Sequence, residues 1–422
     1  MKSQQLKNRW LIAASAVGIH ISIGSVYAYS VMTNPVKDIF GTDESNIKWA
    51  FKIAILLLGL SAAFLGKWVE KVGPRVSGLT AGACYGVGIL GSGLAVQLQS
   101  LPLFLVCYGF IGGIGLGLGY ITPVSTLVKW FPDRRGLATG MAIMGFGFAA
   151  LIFGPLMAKL FETVGVANTF YVLGIVYMVL IFSSSLYIER PPEGYAPEGY
   201  HAADNVKIKK DISNIDANSA IKTTRFYYMW IMMFINISCG IALISAASPM
   251  VQDQLGYTPM QAAGIVGLIG VFNGIGRLIW SGASDYLGRS NTYILFFAFQ
   301  ILAFYFLPKM STELTFFIVL FTVITMYGGG FATLPAFLGD LFGTKQLGAI
   351  HGMVLSCWGI AGVFGPTVFD MVKKETGSLN TTLEIFSIFF VVALIVSILL
   401  KRFIVDHHAK EAELSLAYVS NK

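Results

Sequence analysis

Residues 123–155 read PVSTLVKWFPDRRGLATGMAIMGFGFAALIFGP, and residues 335–366 read PAFLGDLFGTKQLGAIHGMVLSCWGIAGVFGP. The two stretches follow one plan. Pro123 pairs with Pro335 and Gly136 with Gly348 at an offset of 212, while Gly154-Pro155 pairs with Gly365-Pro366 at 211. Upstream, Glu70-Lys71-Val72-Gly73 matches Asp285-Tyr286-Leu287-Gly288 at an offset of 215. Offsets that agree to within loop-length drift mean that the chain is built twice.

Around these pairs the sequence breaks into apolar runs. A run of ~20 residues, rising 1.5 Å each, crosses a hydrocarbon core of ~30 Å. About twelve can be placed, at 9–33, 47–69, 76–97, 102–129, 137–160 and 166–188, then 224–252, 258–283, 291–308, 313–338, 347–373 and 379–401. With 55% hydrophobic and 12% charged residues, the chain is far more apolar than a soluble domain needs to be, and lipid is the medium that accepts the surplus. The expected fold is an all-α membrane protein of about twelve transmembrane helices in two six-helix repeats.

The domain plan follows. Residues 1–189 form the first bundle, 190–222 a cytoplasmic linker, 223–404 the second bundle and 405–422 a cytoplasmic tail. The linker is polar, carries the near-duplicates Pro192-Glu193-Gly194-Tyr195 and Pro197-Glu198-Gly199-Tyr200, and then the basic Lys207, Lys209 and Lys210. Six crossings are an even number, so the halves share one orientation, as in parallel repeats about an axis along the membrane normal. A cavity between such bundles can open to either side as one rocks against the other, which predicts alternating access.

The formal charge of +7 does not indicate nucleic acid, because the basic residues punctuate the apolar runs and form no stripe. They report topology instead. With a cytoplasmic N-terminus, 21 Lys and Arg lie on that side against 6 on the other, leaving Lys52 and Arg277 inside apolar runs. This bias places both termini in the cytoplasm of a multi-pass protein of the cell membrane. The first run is long and has no small-residue cleavage pattern, so it is expected to persist as a span. Cys84, Cys107, Cys239 and Cys357 lie in runs without CxxC spacing, so packing residues are expected, not disulfides or zinc ligands. There is no HExxH, no GxxxxGK[ST] loop and no paired intramembrane carboxylate, so neither an enzyme nor a resident cofactor or metal is expected.

Arg277 is the main site candidate. A guanidinium inside the eighth run costs at least ~2.5 to 3.5 kcal/mol against lipid, so it should face a bundle interior or an aqueous cavity. Its planar fork matches a carboxylate in bidentate fashion. Snorkelling to the headgroups is the bland alternative. Asn273 lies one turn earlier and shares its face. His20 in the first run and His351 in the eleventh are the intramembrane groups able to take a proton near neutrality, although packed, hydrogen-bonded histidines are the commoner case. Lys52 either snorkels or draws anions toward an outer opening.

Several motifs resemble the major facilitator superfamily. Gly66-Lys67-Trp68-Val69-Glu70-Lys71-Val72-Gly73-Pro74-Arg75 is similar to its loop signature, and Ser284-Asp285-Tyr286-Leu287-Gly288-Arg289 to the second copy. Trp130-Phe131-Pro132-Asp133-Arg134-Arg135-Gly136-Leu137-Ala138-Thr139-Gly140 resembles the start of the fifth helix in monocarboxylate transporters and in the oxalate/formate antiporter family. Tyr27-Ala28-Tyr29-Ser30 with Asn34-Pro35-Val36-Lys37-Asp38, and Asn273-Gly274-Ile275-Gly276-Arg277, are similar to the antiporter family as well.

The resemblance implies a secondary active carrier of small organic anions in which Arg277 binds the carboxylate. It implies an aromatic lining of Tyr27, Tyr120, Tyr327 and Phe331, and a gating role for Glu70, Arg75, Asp285 and Arg289, with Asp340 closing the tenth span. Two departures narrow the reading. Asn273 stands where animal monocarboxylate transporters resemble this region with a proton-coupling aspartate, and an amide carries no proton. Trp358 stands where the oxalate carrier is expected to have a second cation, a lysine. One arginine suits one carboxylate, so a monocarboxylate of the lactate, pyruvate or formate class is expected, carried by a monomer with either a proton (symporter) or a counter-anion (antiporter). An oxalate/formate-type exchanger and a non-transporting carboxylate sensor on the same fold are the alternatives.

Overall fold

The computed structural model describes residues 6–197 and 211–420. Among these, twelve helices are long and apolar enough to cross a membrane, and no strand occurs. In the first half they are α1 (Arg9–Phe40), α2 (Glu44–Val72), α3 (Pro74–Gln97), α4 (Leu101–Trp130), α5 (Arg135–Val164) and α6 (Val166–Tyr187). The second half comprises α7 (Thr224–Leu255), α8 (Pro259–Leu287), α9 (Arg289–Phe306), α10 (Glu313–Phe342), α11 (Leu347–Thr376) and α12 (Leu379–Ser420). The chain is a multi-pass membrane protein.

Local chemistry sets several boundaries. Pro74 and Pro259 occupy first-turn positions, where the missing N–H costs nothing, and Thr258 with Gln261 forms a reciprocal cap at the start of α8. The matched Gly73 and Gly288 end α2 and α8 with φ of +86° and +84°, a region an L side chain rarely enters. The duplicated loop thus has one backbone solution used twice.

Three ends differ from the sequence expectation. α1 runs on to Phe40 through Asn34-Pro35, because a 3-10 turn at Gly24–Ala28 restarts the helix at Tyr29. α12 continues unbroken from Leu379 to Ser420, past residue 404, through a stretch whose Lys, Glu, Ala and Leu are all good helix formers. The end of the linker is docked and not free: the Ile212 and Ile215 amides donate to the carbonyls of Asp340 (2.9 Å) and Phe342 (3.1 Å). Asp216 then caps the short helix Ala217–Ala220. Lys207, Lys209, Lys210 and the second Pro-Glu-Gly-Tyr from Glu198 onward lie outside the described residues. The four cysteines form no disulfide, and Cys107, Cys239 and Cys357 are buried.

The halves meet along two seams, α2 against α11 and α5 against α8. Backbone approach is close there: a Cβ at Gly352 in α11 would lie 1.9 Å from the carbonyl oxygen of Ala62 in α2. Without a hydrophobic force between helices in lipid, small residues at the seam supply dispersion contact instead.

Candidate functional site

Arg277 lies at the α5–α8 seam, 0% exposed. Its Nε donates to Asn273 Oδ1 at 3.1 Å, and its Nη1 to the Ile143 carbonyl of α5 at 3.4 Å. Nη2 is buried with no hydrogen-bond partner. The guanidinium sits 5.4 Å from the Phe331 ring centroid and 5.8 Å from that of Phe146, within cation–π range. It therefore points into the space between halves, away from headgroups and acyl chains.

An aromatic wall surrounds it. Trp358 packs on Phe331 (4.7 Å between centroids), Tyr120 (5.3 Å) and Phe146 (5.9 Å). Tyr27 meets Phe146 at 4.9 Å and Tyr327 meets Phe331 at 5.4 Å. Tyr27 also faces Arg277 closely enough to interact with it. The Tyr120 hydroxyl is buried without a partner. All seven residues expected at the site, Arg277, Asn273, Tyr120, Tyr327, Phe331, Tyr27 and Trp358, are gathered in one place. Phe146 was not foreseen. It touches Tyr27, His20, Tyr120, Trp358 and Arg277, and its only sequence signal is that glycines, Gly145 and Gly147, flank it on both sides.

The backbone admits this packing because glycine stands where arms cross. At Gly328 in α10 an added Cβ would lie 2.3 Å from the Asn273 carbonyl oxygen and 3.2 Å from Arg277 Cγ. Any larger residue there would push the Asn273–Arg277 face away from α10.

His20 and His351 are both fully buried on the edge of this cluster. His20 Nε2 lies 3.1 Å from the Tyr120 carbonyl, which can only accept, so that nitrogen carries the hydrogen. His20 Nδ1 and both nitrogens of His351 have no partner. Tyr120 separates the two rings, with centroids 5.2 Å from His20 and 5.9 Å from His351.

The end bearing the Lys- and Arg-rich loops, here the basic end, is closed by reciprocal caps. Asp285 accepts from the Gly136 and Leu137 amides at 3.0 and 3.1 Å, at the start of α5 in the opposite half. Glu70 accepts from the Gly348 amide at 2.8 Å, at the start of α11 in the opposite half. Each acid thus sits at a helix N-terminus, where unpaired amides and the helix dipole favour an anion. Arg135 pairs with Asp340 (3.1 Å) and with Asp211 of the linker (2.5 Å), Arg289 with Asp285 and Asp340, and Lys129 with Glu70 (2.9 Å). Burial raises the Asp211 carboxyl above its ordinary value, against the lowering pull of Arg135. Thr139 adds a 2.7 Å bond to the Ala332 carbonyl across the halves.

Arg75 departs from expectation. It stands exposed in the first turn of α3 and joins none of these pairs, because that turn faces outward while its counterpart Arg289 turns toward Asp285. Lys52 is exposed and lies over the Trp49 ring at 4.9 Å.

Comparison with known proteins agrees with this architecture. The chain is 28% identical over 367 residues to the oxalate:formate antiporter of Oxalobacter formigenes, covering 85% of this chain and 84% of that one. It is 23% identical over 390 residues to apicoplast pyruvate carrier 1 of Toxoplasma gondii, covering 78% and 69%. Among solved structures, the human organic anion transporter MFSD10 superposes with a TM-score of 0.73 at 13% identity, covering 93% of this chain and all of that one, which bears on fold alone. Residues 15–366 match the family model described as Major Facilitator Superfamily, so the chain belongs to that superfamily and is a membrane transporter, not an enzyme.

Proposed function

We propose that the protein carries a small monocarboxylate of the lactate, pyruvate or formate class by alternating access, with Arg277 as the carboxylate-binding group. The observation that carries the reading is the fully enclosed guanidinium between the halves, whose Nη2 has no partner while Asn273 and the Ile143 carbonyl orient the rest of the fork. A buried, incompletely paired charge costs several kcal/mol on the order expected for interiors, and a carboxylate is the group that offsets it. The aromatic wall excludes water and strengthens that pairing. The similarity to an oxalate:formate antiporter and a pyruvate carrier supports a carboxylate substrate.

The same similarity favours a second reading, exchange of oxalate for formate. Against it stands Trp358, an apolar ring packed on Phe331 and Tyr120 where a dicarboxylate would need a second cation. The charge bias of the loops supports a cytoplasmic location for the basic end and both termini, in the cell membrane.

The test is uptake and counterflow of labelled lactate, pyruvate, formate and oxalate in proteoliposomes. A monocarboxylate is expected to be preferred; equal preference for oxalate would overturn the choice, and binding without any counterflow would indicate a sensor. Arg277→Ala should weaken carboxylate binding by about 2 to 5 kcal/mol, roughly 30-fold or more, while the purified protein keeps its monodisperse elution.

A further inference from the structure

α1 is broken near its middle. Between Gly24 and Ala28 it tightens to a 3-10 turn, and the Tyr29 amide bonds back three residues to the Val26 carbonyl. A 3-10 helix advances 120° per residue against 100° in an α-helix, so three steps from Gly24 bring Tyr27 round by about 60° from where an unbroken helix would aim it. The turn, Gly-Ser-Val-Tyr-Ala, contains no proline to force it. Its backbone geometry is poorer than that of an α-helix, so something else has to hold it.

Side chains hold it from behind. The Ser25 hydroxyl donates to the Ser22 carbonyl at 2.7 Å and lies 2.8 Å from the Tyr85 hydroxyl of α3, with both residues buried. A carbonyl only accepts, so the one Ser25 hydroxyl proton goes there, and Tyr85 is the donor between the two hydroxyls. In front, Gly24 touches α5: an added Cβ would lie 2.5 Å from the Phe146 carbonyl oxygen. The turn is thus clamped between α3 and the backbone of the residue whose ring completes the aromatic wall. The helix beyond it is held separately, by the Tyr29 hydroxyl donating to the Ile47 carbonyl of α2.

What the turn aims is Tyr27. Its ring packs edge-on to Phe146 at 4.9 Å, and it faces Arg277. A carboxylate has more lone pairs than the free Nη2 of Arg277 can satisfy, and a phenol beside the fork supplies a further donor. We propose that Ser25 and Tyr85 are positioning residues for the carboxylate site: their hydrogen bond fixes the 3-10 turn and thereby holds Tyr27 toward the anion on Arg277. This rests on the carboxylate reading above and adds two residues outside the aromatic wall. Tyr85 packs instead on Tyr177 in the interior of the first half, 5.6 Å between centroids. Without the bond the turn is free to regularise toward an α-helix, which swings Tyr27 off the site.

The experiment is equilibrium binding of labelled lactate, pyruvate and formate to the purified full-length protein and to a double-mutant cycle. Tyr27→Phe should weaken binding roughly tenfold, as loss of one donor to a charged acceptor does. Tyr85→Phe, which keeps the ring and removes only the hydroxyl, should weaken it about fivefold on its own and less than about twofold in the Tyr27→Phe background, because the hydroxyl it aims is already gone. A merely structural Tyr85 would act equally in both backgrounds. Losses that multiply, or Tyr85→Phe binding at wild-type strength, therefore overturn the proposal and leave the carboxylate reading intact. A wild type that binds none of the three acids overturns both. Ser25→Ala is expected to repeat the Tyr85→Phe pattern and decides the matter should Tyr85→Phe fail to fold; failure of both to fold would make the bond a structural one and overturn the proposal.

Discussion

At the scale of single residues, the site is one cation in an apolar enclosure. Arg277 has two of its nitrogens engaged, by Asn273 and by a carbonyl of the other half, and a third free. Its desolvation is incompletely offset by the protein, which is what supports the proposed binding role. In the proposed reading Trp358 sets the charge count. Replacing it by lysine should raise oxalate uptake relative to lactate by about tenfold or more, since a second buried cation can pair with a second carboxylate. Competition uptake in proteoliposomes measures the ratio, and an unchanged ratio would count against the role given to Trp358. Arg277 and the aromatic positions were legible from sequence because lipid penalises a charge and a resemblance supplied the wall. Phe146 was not, since a phenylalanine among apolar residues carries no sign of which way it faces.

Helices as elements explain how the halves close. Glu70 and Asp285 each cap a helix of the opposite half, at the very glycines, Gly348 and Gly136, that the repeat pairs. Two symmetric loops therefore make two symmetric latches. Close approach along α2 and α11 depends on Gly352, whose Cβ would collide with the Ala62 carbonyl, a backbone atom that cannot rotate away. Gly352→Val should wedge the seam open and destabilise the closed form by about 1 to 3 kcal/mol, as overpacking does elsewhere. The expected readout is a thermal midpoint lowered by several degrees in detergent, with a midpoint equal to wild type as the contrary result. The ends of α1 and α12 show what apolar-run reading misses: it detects lipid-crossing length, whereas a helix continues wherever its residues allow backbone bonding.

For the whole molecule, the ion pairs and caps of the basic end tie the two halves together there. Toward the opposite end, the Cβ positions of Gly264, Gly267 and Gly270 on α8 have no atom of a described residue within 4 Å. Closure at one end is what the alternating access proposed above requires of a single state. Glu70→Gln with Asp285→Asn removes both charged caps, at about 1.5 to 3 kcal/mol each. That should shift the population toward opening at the basic end. Ser125, buried beside Gly348, provides the reporter: in Ser125→Cys on a background lacking native cysteines, labelling by a membrane-impermeant thiol reagent should rise severalfold when the caps are removed. No rise would mean that the acids do not hold the closure.

The sequence by itself determined the twelve-span, twice-repeated architecture, because hydrophobic length and recurrent Gly, Pro and acidic punctuation are local properties that a lipid solvent reads directly. It also singled out Arg277, because a charge out of place in an apolar run is visible without coordinates. Only the tertiary structure decided which atoms of that guanidinium are engaged, that Phe146 completes the wall, that Glu70 and Asp285 cap helices of opposite halves, and that Arg75 stands aside while Arg289 does not. These are relations between residues on separate helices, set by packing across the two seams, and no spacing along the chain encodes them.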